Sequence, residues 1–171
     1  MGLQTPSRGL AKIGDFESTT QTAAVRRIAT FAPPEGRLDP QMSPRSHLQW
    51  VARFLDLDVD ATRVRQALRF AEIPDRVFDS PSHSIPSIFH VLTWIALYDL
   101  RRHQVLVLDD PAAALSFSQA RALAAVLRSR RNAGAAILVT TRDAKFAEET
   151  ADRTTWIEDG RVQVDVGEIR L

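Results

Sequence analysis

The stretch Val105–Ser116 reads VLVLDDPAAALS. Four apolar residues run straight into Asp109 and Asp110, and Pro111 ends the run. A continuous apolar run bounded by a turn signal reads as a strand of a parallel sheet covered on both faces. A strand ending on a carboxylate can deliver that acid to a magnesium ion, which takes its remaining ligands from substrate phosphates and water. Such an acid is useful only if another element holds the phosphates. The plainer reading is that the two aspartates merely stop the strand, with Asp110-Pro111 opening a loop.

Working outward, helical and strand patterns alternate. Ser116 to Asn132 predicts an amphipathic helix whose basic last turn suits the helix dipole and whose stop suits Gly134. Its run Arg128–Arg131 reads as a solvated helix end. Ala136 to Thr141 (AILVTT) predicts a second buried strand, Asp143 to Ala151 a short helix, and Glu158-Asp159-Gly160 the turn of a closing hairpin. Upstream, Ile85 to Leu100 is apolar nearly all round and predicts a buried helix. Ser43-Pro44 opens another helix, with Leu48, Val51, Phe54 and Leu55 expected on its apolar face. Asp60 caps the helix ATRVRQALRFAE. Gly9–Glu17 predicts a short strand or hairpin, and Ala24–Ala32 a helix end followed by a strand. This alternation implies an α/β layered fold.

Composition narrows the classes. A chain of 171 residues is one domain, or one and a fraction, and 44% hydrophobic with 25% charged residues is ordinary for a globular protein. A net charge of +1 offers no field to recruit nucleic acid or an anionic membrane. Lys12 and Lys145 are the only lysines. The absence of cysteine excludes disulfides and zinc–thiolate sites. No signal-type apolar run opens the chain, and the most apolar run is too short to span a bilayer, so the cytoplasm is the expected compartment. His47, His83, His90 and His103 are scattered and show no zinc spacing, and no G-x-S-x-G elbow supplies a hydrolase nucleophile. Trp50 and Trp94 lie on helical apolar patterns and read as core or interface packing.

Strand, Asp, acid, Pro, small residues and a long helix: this resembles the Walker B segment of ATP-binding-cassette (ABC) ATPases, whose pattern is four apolar residues, Asp, Glu, Pro. The resemblance is co-linear. LVTTRD followed by FAEETADRTTWIEDGRV resembles that family's switch-histidine strand, the next helix and the closing hairpin. FAPPEGRLDPQMSPRSHLQWVARFLDLD resembles its glutamine-loop strand and the first helix of the helical subdomain. The implied fold is a partial P-loop NTPase, ABC ATPase-like. It has a mainly parallel sheet flanked by helices, a helical subdomain over about residues 41–100, and a Walker B and C-terminal α/β part with a β-hairpin over 101–171. The resemblance makes Asp109 a magnesium ligand and sets Asp110 at the position of the catalytic glutamate. Arg142 falls at the switch histidine and Pro34 at the glutamine-loop glutamine.

The departures bear on activity. No G-x-x-x-x-G-K-S/T loop occurs; Gly9 and Gly14 have the glycine spacing but continue Asp15-Phe16. The resemblance implies that the chain is expected to begin beyond the family's phosphate loop. Pro34 has no side-chain amide. Ile85–Phe89 (IPSIF) replaces the LSGGQ signature, removing a backbone donor and placing the bulk of Ile88 and Phe89 where phosphate would sit. Asp110 is shorter than glutamate by one C–C bond, about 1.5 Å, and Ser116 replaces the D-loop aspartate. Phosphoryl transfer relies on positioning and charge stabilisation, so the expected role is a degenerate ABC-type domain serving as a non-catalytic or regulatory subunit. The expected partner is an ABC transporter membrane subunit or a full-length ATPase subunit, with Mg-ATP held weakly or shared, no metal cluster, and no direct membrane insertion. Two alternatives stand. One is an ATPase active in trans, with the phosphate loop supplied by a partner chain. The other is a nucleotide-independent scaffold. In any of these the sheet is expected to show an open edge and an uncovered apolar face.

Overall fold

The computed structural model describes residues 4–166, so the end of the 101–171 span, from 167 on, lies outside the described residues. A small hairpin comes first, β1 (Lys12–Ile13) with β2 (Phe16–Glu17), turning at Gly14 in the left-handed region. Helix α1 (Thr22–Ile28) leads directly into β3 (Ala29–Ala32). Helices α2 (Pro44–Phe54), α3 (Ala61–Phe70) and α4 (Ser87–Arg101) form the helical part. Strand β4 (Val105–Asp109), α5 (Phe117–Asn132), β5 (Ala136–Thr140) and α6 (Ala144–Thr150) follow, and β6 (Thr154–Glu158) with β7 (Arg161–Val166) close the chain as an antiparallel hairpin.

The helices start where the sequence places their caps. The Ser43 hydroxyl accepts from the Ser46 N–H with Pro44 in the first turn, and Asp60 Oδ1 accepts from the Arg63 N–H at 2.7 Å. Ser116 and Gln119 form a capping box at the start of α5. Each such cap is worth about 1 kcal/mol. One hydrophobic cluster runs from α2, α3 and α4 through Leu106 and Leu108 of β4 to Leu123 and Leu127 of α5, so the helical part and the sheet share a continuous interior.

The sheet is parallel, in the order β3-β4-β5, with Ala32 opposite Leu108 and Asp109 opposite Thr140. Its two faces are unequal, which corrects the expectation of a strand covered on both sides. Leu106 and Leu108 are fully buried, but Val105, Val107 and Asp109 on the other face are only half covered. Across the ladder from Val107, Leu138 is 59% exposed. The side chains of one face meet the helical core. Among the described residues β5 has no neighbour on its outer side, and its Ala136, Leu138 and Thr140 stay exposed. Of the sheet's two edge strands, β3 is largely buried and β5 is exposed, so the uncovered face anticipated from the family resemblance lies along β5 and the adjoining side of β4.

The apolar stripe read on α2 is also revised. Leu48 and Val51 are buried, whereas Phe54 is 74% exposed and Leu55 also lies outside. Trp50 and Phe54, four residues apart and so on one helix face, stack on each other outside the core with ring centroids 5.4 Å apart. Trp94 instead turns inward, donating its indole N–H to the Gly36 carbonyl at 2.9 Å.

Gly36 sits where β3 turns into the helical part. Its φ of +63° lies in the left-handed region, and a Cβ there would come within 2.8 Å of the Val91 Cα on α4. Backbone cannot step aside as a flexible side chain would. Gly36→Ala is expected to destabilise the protein by roughly 2–4 kcal/mol, combining the left-handed strain with overpacking. A urea titration measures this, and an unchanged midpoint would refute the close approach.

Candidate functional site

The acid pair stands at the carboxyl end of β4, on the open face. Because Asp109 is in register with Thr140, the neighbouring strand supplies its partner: the Thr140 hydroxyl donates to Asp109 Oδ1 at 2.6 Å. Among the described residues, Oδ2 of Asp109 has no protein hydrogen bond. Asp110 leaves the strand in the left-handed region, φ +41°, and its N–H donates to the Thr140 carbonyl at 3.0 Å and to the Thr140 hydroxyl oxygen at 3.1 Å. Non-glycine residues rarely adopt this backbone, and its strain of about 1 kcal/mol is held by those bonds.

Arg142, two residues past the end of β5, closes the cluster. Its Nη2 lies 3.1 Å and its Nε 3.2 Å from Asp110 Oδ2. The guanidinium is 89% exposed and the Asp110 side chain mostly covered. In water such a pair is worth about 1 kcal/mol or less, so the arginine is tethered rather than locked. Pro34 opens a short turn, Pro34–Gly36, two residues past Ala32, which is in register with Leu108. It therefore stands at the same end of the sheet as the acid pair, but offers no polar side chain to it.

One sequence reading changes here. The bulk of the IPSIF segment does not project outward: Ile88 is buried and Phe89 packs against the same core, in the first turn of α4. The proline at this helix start gives no side-chain cap. Ser116, at the position of the D-loop aspartate in the resemblance, spends its hydroxyl on the capping box of α5. Thr140 was not singled out in the sequence. The LVTT run contains it, but only the strand register reveals which threonine meets Asp109.

Chemically, the site offers one hydroxyl-oriented carboxylate with a free oxygen, which suits a magnesium ion that takes its other ligands from phosphates and water. Among the described residues no cluster of three or more His, Cys, Asp or Glu side chains could hold a metal alone. These residues contain no phosphate cradle to go with the carboxylate. The arrangement therefore fits a magnesium ligand and does not by itself fit a triphosphate, and no hydrolytic step is assigned to it.

The histidines lie elsewhere. His83 and His90 bond the carbonyls of Pro40 and Ser82. His103 is buried, with Nδ1 2.9 Å from the Thr30 hydroxyl. His47 is buried edge-on to Trp94, and neither ring nitrogen has a hydrogen-bond partner among the described residues.

No family model matches the chain. It is 27% identical over 163 residues, 94% of its length, to the Nod factor export ATP-binding protein I of Burkholderia orbicola, of which it covers 53%. It is 33% identical over 100 residues, 58% of its length, to a cobalt import ATP-binding protein of Rhodobacter capsulatus, covering 35% of that protein. A hemin import ATP-binding protein of Rhodococcus jostii is 29% identical over 105 residues, 61% of this chain and 36% of its own length. The chain thus spans about half the length, or less, of the curated relatives it matches. Among solved structures, a dimeric ATP-binding cassette in a post-hydrolysis state bound to ADP and Pi superimposes with a TM-score of 0.81 at 17% identity, covering 98% of this chain and 76% of that one. An ATP-binding subunit of an ABC transporter gives 0.76 at 21% identity, with 98% and 70% covered. The chain therefore shares the fold of these ATP-binding cassettes, and the curated relatives to which its sequence is similar are export and import ATP-binding proteins.

Proposed function

We propose that the chain acts as a non-catalytic or regulatory ATP-binding-type subunit of an ABC transporter or ATPase complex. It would be cytoplasmic and held at the inner face of the membrane only through a partner. The observation that carries this reading is the Arg142–Asp110 ion pair. The side chain standing where a general base is needed is shorter than glutamate and already engaged by a cation. Pro34 offers no amide to orient water, and no phosphate loop lies within these residues. Phosphoryl transfer depends on positioning and charge stabilisation, and most of both is missing from this set of groups. Mg-ATP would be held weakly, through Asp109, or shared with a second chain. The stacked pair Trp50 and Phe54, with Leu55 beside it, gives the helical part an exposed apolar patch suited to a transporter's membrane subunit. No helix of the described residues is long and apolar enough to cross a membrane, so membrane association would come from that partner.

One observation favours a second reading, hydrolysis in trans. The acid pair and Thr140 lie beside the unpaired edge of β5, where another chain could bring phosphate-binding groups next to Asp109.

The test is thermal unfolding with and without saturating Mg-ATP. A ligand at a hundred times its Kd adds about 2.7 kcal/mol, a rise of several degrees for a domain of this size. The non-catalytic reading expects a shift of about a degree or less for the chain alone and no phosphate release with or without a full-length ATPase subunit. Release that requires both chains and vanishes in Asp109→Ala would establish the trans reading. Release by the chain alone would overturn both.

A further inference from the structure

The end of the molecule away from the acid pair carries a second concave site. A cleft of about 530 Å³ lies between α3 and the carboxyl ends of α4 and α5. This volume falls within the range of small-molecule pockets. Its floor is built from buried charge. The Arg130 guanidinium, 5% exposed, holds Asp99 through Nε and Nη2 at 2.8–3.2 Å and donates to the Phe70 carbonyl at 2.7 Å. It also lies 4.1 Å from the Phe70 ring centroid, which fixes that ring along one wall.

The rim supplies cations that the floor does not neutralise. Arg130 and Asp99 cancel, while Arg63 and Arg102 have no carboxylate partner among the described residues. Arg63 spends one N–H on the Asp58 carbonyl and keeps the rest of its fork. Arg102 sits at the end of α4 with φ +52°, a position where glycine is the residue of least strain. The carbonyl ends of α4 and α5 contribute negative partial charge to the same region, which two full positive charges outweigh. Tyr98 supplies a neutral donor. It is 8% exposed, its hydroxyl has no partner among the described residues, and burial beside Asp99 pushes its ionisation up. A flat apolar ring, two guanidinium groups without a carboxylate partner among the described residues and a phenol therefore line one cleft.

We propose that this cleft binds a small organic phosphate or carboxylate that carries a planar ring. The anion would take the forks of Arg63 and Arg102, which match the geometry of phosphate and carboxylate oxygens. The ring would lie against Phe70, and the Tyr98 hydroxyl would donate to the ligand. This site is independent of the nucleotide reading, because none of its residues belongs to the Asp109 cluster.

The experiment is calorimetric titration of the purified chain, without magnesium, with phenyl phosphate, inorganic phosphate and benzoate. Phenyl phosphate is expected to bind, and more tightly than inorganic phosphate because of the ring. The Arg63→Gln/Arg102→Gln double variant is expected to weaken it about tenfold or more, through loss of charge-assisted hydrogen bonds. Both arginines project from the surface, so folding should survive, and an unchanged melting temperature confirms it. Tyr98→Phe is expected to weaken binding by a smaller factor, and Asp109→Ala to leave it unchanged. Benzoate binding alone would assign the carboxylate as the preferred anion. Absence of binding by all three probes would overturn the proposal. So would binding that survives the double variant or is lost in Asp109→Ala.

Discussion

Arg130→Ala is expected to destabilise the protein by about 3–5 kcal/mol, the range for breaking a buried ion pair from one side. The substitution removes three bonds to Asp99 and one to the Phe70 carbonyl, from a guanidinium that is 5% exposed. Burial already pushes the Asp99 carboxyl up and only Arg130 pulls it back. Without the arginine, Asp99 is left charged and dry or must take up a proton. The damage also spreads mechanically, because this one side chain ties α5 to the end of α4 and the end of α3. A drop of roughly 10 °C in Tm follows for a domain of this size, measurable by calorimetry. The double variant Arg130→Met/Asp99→Leu should recover most of the loss, since replacing a whole buried pair by apolar groups is often neutral. A drop of under about 1 kcal/mol in the single variant would place the pair among surface salt bridges and refute the burial.

Acid should destabilise the fold well before carboxylates as a class are protonated. Burial pushes His47 down to about 4, with Asp39 opposing, and pushes His103 down to about 4, helped by Arg101 and opposed by a bond to Ala29. In both, the folded value lies below the ordinary 6.5. The unfolded chain therefore binds the extra protons, and stability falls as pH drops from about 6.5 to about 4. At about 1.36 kcal/mol per unit, each histidine can withdraw on the order of 3 kcal/mol across that window. Urea midpoints taken between about pH 7.5 and pH 4.5 should stay level down to about pH 6.5 and fall below it. His47→Phe, which keeps an aromatic ring against Trp94 but cannot titrate, should remove about half of the slope. A flat profile down to about pH 5 would show that these rings are solvated in the native protein.

Much of this architecture was legible in one dimension. VLVLD reads as a strand because nothing interrupts its apolar run, and the helix starts at Ser43 and Asp60 read correctly because capping is a local interaction. What was not legible depends on distance in the chain. The run Arg128–Arg131 looks like a solvated helix end, yet Arg130 is buried against Asp99, 31 residues away. Arg131 pairs with Asp152, and Arg128 donates to the Glu149 carbonyl. Periodicity places Phe54 with Leu48 and Val51, but the packing of α2 on α3 and α4 decides which part of that stripe is covered. Of the candidate site, the strand-end placement of Asp109 and Asp110 could be read from the apolar run, and Arg142 was expected only from the family resemblance. The hydroxyl of Thr140 could not, because it depends on the β4–β5 register, and the same holds for the Arg142–Asp110 bond.

The unpaired edge of β5 has a bearing on how the chain behaves in concentrated solution. Ala136–Thr140 (AILVT) is short, β-prone and uncharged, and its outer backbone groups lack a strand neighbour among the described residues. Segments of this kind template intermolecular pairing. The sequence flanks it with charge on both sides, Arg130-Arg131 before and Arg142-Asp143 after, in the manner of residues that discourage such stacking. Solubility, more than stability, is then the property most exposed to change along this strand. A charged residue in place of the outward-facing Leu138 acts on that property while leaving the buried core untouched.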